Sequence, residues 1–183
     1  MTLDEITKKV LEQIDASGFK QSGAFNLSTM ELPSAGDSEH IKIKKKQDKP
    51  GIDIYIDGKT DGEEVHIPVV VDATGMTDVV YNDFYIEEGA NVTIVAAVEF
   101  TTAVAMKAAM MEPHIHVEKT ASALCGETLW SRAKEQEQES HPVTEVILDE
   151  NSVFTLDTAQ IKGVDSTVRE NNVYLEANSN CTL

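Results

Sequence analysis

Ile86-Glu87-Glu88-Gly89-Ala90-Asn91-Val92-Thr93-Ile94 is the stretch on which the fold turns. It recurs as Leu148-Asp149-Glu150-Asn151-Ser152-Val153-Phe154-Thr155-Leu156, and again as Leu175-Glu176-Ala177-Asn178-Ser179-Asn180-Cys181-Thr182-Leu183. Each copy runs from an aliphatic residue through an acidic pair or Glu-Ala to a small or Asn turn. An alternating strand ending in Thr-aliphatic follows. The last two copies are 27 residues apart, a period found in coiled repeat architectures. A strand–turn–strand unit of this size cannot bury its own apolar face, so it stacks on the next. The pattern therefore predicts rungs of a β-helix or β-roll. The alternative is an antiparallel sandwich whose hairpins look alike.

Strand signals begin upstream of the first copy. Ile41 and Ile43 alternate with lysines, Ile52, Ile54 and Ile56 with Asp53, Tyr55 and Asp57, and Val65, Ile67, Val69 and Val71 follow the same period. Pro68 within the last run points to a strand with a free edge. Before these strands, Thr2 and Glu5 make a capping box, and Leu3, Ile6, Val10 and Ile14 share one helical face. Ser17-Gly18 stops that helix, which is expected over about residues 3–16. Residues 1–38 are thus expected to be an N-terminal helix and loop, and residues 39–183 a mainly β core.

The 183 residues carry a net charge of -17. Nucleic-acid backbones and anionic membranes need cationic surface, so neither is an expected partner. No apolar run approaches the roughly 18 residues of a membrane span. The start, Met1-Thr2-Leu3-Asp4-Glu5, lacks the basic, then apolar, pattern of a signal peptide. A cytoplasmic location is expected, with Cys125 and Cys181 as reduced thiols.

Few residues carry the stamp of chemistry. His114-x-His116 puts two imidazoles on one side of a strand, but a zinc site needs three or four ligands. No metal site is expected. His66, between Val65 and Ile67, faces away from them and reads as a surface histidine. Lys44-Lys45-Lys46 reads as a solvated strand end, and Cys181 as a small apolar strand residue. Asp165-Ser166-Thr167 reads as a polar corner bonding local backbone. There is no phosphate-binding Gly-rich loop with Lys-Ser/Thr and no recognisable Ser/His/Asp spacing, so no catalytic set is expected. Aromatic residues are 5% of the chain and look aperiodic. That counts against a stand-alone acidic β-helix binding module, for example for carbohydrate, because such a module lines one solvent face with aromatic rings.

Two longer strings carry a family resemblance. One is Pro50-Gly51-Ile52-Asp53-Ile54-Tyr55-Ile56, continuing through Val65-His66-Ile67-Pro68-Val69-Val70-Val71 to Val80-Tyr81-Asn82-Asp83-Phe84-Tyr85-Ile86. The other is Gln160-Ile161-Lys162-Gly163-Val164-Asp165-Ser166-Thr167-Val168-Arg169. They resemble the SufB/SufD family of the SUF iron–sulfur cluster assembly system, in its compact prokaryotic form. The resemblance implies a right-handed parallel β-helix and a non-enzymatic scaffold role. It also implies two partners, a like subunit and an ABC-type ATPase, and an iron–sulfur cluster in the intact complex. Cluster-binding positions remain unassigned here, because the family's known ones lie beyond the matching residues.

Between residues 97 and 140 the family strings stop in the given frame, apart from 114–124. Shifted frames can restore Cys-Gly-Ile-His-Asn and Val-Glu-Lys-His-Tyr-Gly in the family's order. This segment is therefore expected to be frame-scrambled, and the chain a truncated copy. Its Ala- and Met-rich part, Ala103 to Met111, favours helix in isolation, and Lys134 to Glu139 is polar. Residues 97–140 are accordingly expected to be poorly ordered or adventitiously helical.

Overall fold

A computed structural model describes residues 37–49, 51–71, 77–100, 108–131, 139–161 and 166–183. The expected N-terminal helix, and all but the last two residues of the loop after it, lie outside these. The described residues are mainly β, with no helix. The strands are β1 (Ile41–Lys45), β2 (Gly51–Ile56), β3 (Asp61–Val71), β4 (Thr77–Ile86), β5 (Asn91–Phe100), β6 (Ala108–Val117) and β7 (Ser122–Ser131). Then come β8 (Glu139–Ser140), β9 (Val143–Leu148), β10 (Val153–Ile161), β11 (Ser166–Thr167), β12 (Glu170–Leu175) and β13 (Asn180–Thr182).

The strands form two sheets, and the chain visits them in turn. β2, β4, β6, β9 and β12 are neighbours in the first sheet, all parallel. β3, β5, β7, β10 and β13 are neighbours in the second, also all parallel. Among the described residues only β1 runs antiparallel, against β2 at one edge of the first sheet. The parallel pairing excludes the antiparallel sandwich. β3, which contains Pro68, is an edge strand, as its proline predicts.

Register follows the apolar alternation. On the first sheet Ile54, Phe84, Ile115, Val146 and Val173 are successive partners, as are Ile56, Ile86, Val117, Leu148 and Leu175. On the second, Val65, Ile94, Cys125 and Leu156 align, and Val92, Ala123, Phe154 and Cys181 make another row. These rows form one buried cluster, with Val173 and Cys181 packed partly against it. Cys181 does therefore pack as a small apolar residue. Leu175, in the last strand of its row, is 57% exposed.

The turn between sheets repeats with the sequence. Gly89, Thr120, Asn151 and Asn178 occupy its third position, with φ of 83°, 60°, 62° and 59°. In each, the fourth residue donates its N–H to the carbonyl of the first, as Ala90 does to Glu87 and Ser152 to Asp149. Turns also bond to turns: Gly89 N–H donates to Lys119, Thr120 to Glu150 and Asn151 to Ala177. Val117-Glu118-Lys119-Thr120-Ala121 is thus a further copy of the repeat. A β-branched threonine in the left-handed position hid it. Gly51 meets a different demand: with φ 135°, a Cβ there would lie 1.7 Å from the Tyr81 carbonyl oxygen.

The expectation for residues 97–140 is corrected only where they are described; residues 101–107 and 132–138 lie outside the described residues. Residues 97–100, 108–131 and 139–140 of that segment are described, and they hold the end of β5 and all of β6, β7 and β8. β6 aligns with β4 over its full length, and β7 with β5 likewise. Intrinsic helix preference is worth only a few tenths of a kcal/mol per residue. A parallel neighbour on either side supplies backbone partners, and Ile115, Val117, Ala123 and Cys125 are buried there.

Two outcomes are expected. Amide hydrogen exchange should protect residues 114–117 and 122–126 as strongly as 145–148; rapid exchange confined to β6 and β7 would contradict the register. Thr120→Gly should stabilise the protein by about 0.5–1 kcal/mol in urea unfolding, because it relieves a left-handed β-branched residue.

Candidate functional site

The outward face of the first sheet gathers most of the chemically versatile side chains. Each strand presents the residue between two inward aliphatics to this face. Tyr55, Tyr85, His116, Ile147 and Tyr174 thereby fall in one row across β2, β4, β6, β9 and β12. Asp53, Asp83, His114, Glu145 and Asn172 form the row beside it.

Tyr55 and Tyr85 stack with centroids 4.9 Å apart and planes 12° from parallel. Lys44 Nζ lies 4.8 Å from the Tyr55 centroid, and Lys49 Nζ lies 4.2 Å from that of Tyr81. Both are cation–π geometries. Lys46 lies just past β1 and points under this face, where its side chain is 5% exposed. Its ammonium donates to Asp53 Oδ1 and to Asp83 Oδ2, the latter at 2.6 Å. Asp83 Oδ1 is 3.9 Å from His114 Nδ1, and His116 Nε2 is 3.1 Å from Asp149 Oδ1.

Electrostatics follow from this arrangement. Burial works to lower the Lys46 pKa, but the bonds to Asp53 and Asp83 outweigh it and hold the group above its ordinary value. Burial, and then the charges of Asp83 and Asp53, raise the Tyr85 phenol, so it stays protonated as a donor. Burial, reinforced by Glu127 and opposed by Arg169, pushes the Cys125 thiol far above its usual range. Burial also raises Cys181. Neither thiol is a ready nucleophile.

Several sequence expectations meet their outcome here. His114 and His116 share a face but turn to different carboxylates. Among the described residues no group of three or more His, Cys, Asp or Glu could hold a metal ion. The solvated lysine run is corrected: Lys44 and Lys45 are exposed, but Lys46 is buried by its two carboxylates. The surface histidine is corrected too. His66 faces outward by alternation yet is 0% exposed, with Nε2 3.2 Å from Glu64 Oε2. Alternation fixes which face a residue takes, not whether that face meets water. Asp165 lies outside the described residues. Ser166 and Thr167 form β11, where Thr167 donates to Gln160 at 3.0 Å.

Three of the aromatics, Tyr55, Tyr85 and Tyr174, stand at the centre of a repeated apolar–X–apolar triplet whose intervening copies, Ile115-His116-Val117 and Val146-Ile147-Leu148, carry other residues there. Sequence reasoning also missed the ion pair of Arg169 with Glu127, 2.8 Å apart and largely buried.

No protein family, curated protein or solved structure matches this chain. Among the described residues no helix is long and apolar enough to cross a membrane.

Lys46→Met would leave two carboxylates side by side with no cation. It should destabilise the protein by about 2–4 kcal/mol in urea unfolding, the lower figure reflecting partly exposed partners. Because the folded-state pKa is raised, this contribution is full below pH 10.5, the ordinary lysine value, and fades as pH climbs above it. An unchanged unfolding midpoint at neutral pH would contradict the clamp.

Proposed function

We propose that this chain is a scaffold subunit of the SufB/SufD kind, folded as a right-handed parallel β-helix and acting without catalysis in iron–sulfur cluster assembly. One observation carries the reading: strands alternate between two parallel sheets and stack in register. That organisation agrees with the fold the sequence resemblance implies. The resembling strings fall on β2, β3 and β4 and on the passage from β10 towards β12. Arg169, the last residue of the second string, holds Glu127.

In this reading the partners are a like subunit and an ABC-type ATPase, in the cytoplasm. The cluster is cargo of the assembled complex, and no residue of this chain is assigned to it. The pairing surface is a strand edge, since β12 and β13 each pair on one side only among the described residues. The alternative, a stand-alone acidic β-helix binding module, draws support from the tyrosine row. It needs open ring faces, and those of Tyr55 are taken by Tyr85 and Lys44, so it ranks second.

The purified chain should co-elute in size-exclusion chromatography with the SUF ATPase and SufB/SufD-like subunit of its own source. Failure to bind either one would reject the scaffold reading. Resequencing the DNA across codons 97–140 tests the frame interpretation separately.

A further inference from the structure

The outer face of the second sheet carries a notch of about 260 Å³ that the scaffold reading does not use. Its walls come from β5, β7 and β10: Thr93, Val95, Leu124, Asp157 and Ala159, with Gly126 at the centre. Gly126 aligns with Val95 on one side and Asp157 on the other. A glycine in mid-strand weakens the strand unless something approaches it closely. Here the backbone does not ask for glycine. Gly126 is not among the positive-φ residues, and the nearest atom to an added Cβ is the Ile94 carbonyl oxygen at 3.9 Å. The missing side chain therefore leaves a space that the fold itself does not require.

The chemistry of the walls narrows the occupant. Leu124, 44% exposed, gives with Val95 and Ala159 an apolar lining. One carboxylate borders it, because that of Glu127, 5% exposed, turns inward to Arg169. Asp157 is exposed, and among the described residues no cation pairs with it. The notch thus offers an apolar trough ending at an unanswered negative charge. Val153, 45% exposed on the same face, extends the apolar surface beyond the notch. A surface that continues past the cavity fits a macromolecule better than a small free ligand.

We propose that the notch over Gly126 docks an arginine side chain of a protein partner lying across the outer face of the second sheet. The aliphatic stem lies along Val95, Leu124 and Ala159, and the guanidinium pairs with Asp157. Arginine suits the site better than lysine because its planar fork matches a carboxylate with two parallel bonds. The chain's negative charge of -17 draws such a partner in. This inference stands apart from the assembly reading, because it concerns a face that reading leaves unassigned.

Titration of the isotope-labelled full chain with acetyl-arginine amide, followed by amide chemical shifts, tests the proposal. Saturable shifts are expected at Val95, Leu124, Gly126 and Ala159. Acetyl-norleucine amide should bind about two- to fivefold more weakly, and Asp157→Asn should remove that difference. Gly126→Val fills the notch and should abolish the shifts. Gly126→Ala, for which the strand has room, should weaken them and serves if valine perturbs the amide spectrum as a whole. Shifts spread evenly over the acidic surface would overturn the proposal. So would the absence of saturable shifts, or full binding by both glycine variants.

Discussion

Backbone hydrogen bonds from each turn to the end of the neighbouring first-sheet strand set the register on which the rest of this structure depends. Glu87 donates to Ile56, Glu118 to Ile86, Asp149 to Val117 and Glu176 to Leu148. Each bond ties the end of one first-sheet strand to its neighbour. The left-handed residue that follows, Gly89, Thr120, Asn151 or Asn178, then sends the chain to the second sheet at the same point each time. Because side chains alternate with a period of two, a slip of one residue would turn Ile54, Phe84, Ile115 and Val146 out to solvent. The turn and the apolar rows therefore specify the same register, and local and global preferences agree.

The outer faces are consequences of that register. Once the inward rows are fixed, residues between them line up whether or not they attract one another. On the first sheet this stacks Tyr55 on Tyr85 and brings Asp53 next to Asp83. Two carboxylates so placed repel, and the Lys46 ammonium offsets the repulsion. The lysine comes from the short link after β1, so the clamp also ties the one antiparallel strand to the parallel stack. On the second sheet the same rule leaves Gly126 between Val95 and Asp157 and opens the notch.

The interior is not wholly apolar. Glu127 and Thr144 are buried, as are Asn82 and Ser152. Ser152 is satisfied locally by the Asp149 carbonyl, and the charge of Glu127 is met by Arg169 2.8 Å away. A buried ion pair adds little net stability but is costly to break, because the remaining charge has nowhere to go. Burial holds the Cys125 thiol neutral, and the charge of Glu127, two residues away on the same strand face, adds to the effect.

Much of the fold was legible in the residues themselves. The repeat at Ile86, Leu148 and Leu175 marked three of the turns, and the alternation at Ile52, Ile54 and Ile56 marked an inward face. Both are local properties, because the pleat and the left-handed turn act within a few residues. The copy at Val117 escaped because threonine is an unusual left-handed residue. The start of β6 escaped because Ala103 to Met111 favours helix in isolation, and only neighbouring strands reverse that preference. Contacts between rows were beyond sequence reasoning. Lys46 meets Asp83 37 residues away, and Arg169 meets Glu127 across the core. The spacing between rungs varies, so which outward residues become neighbours depends on the assembled register. By itself the sequence determined which side chains face in and where the chain turns; only the tertiary structure decided which outward groups meet, because stacking distant strands is a long-range event.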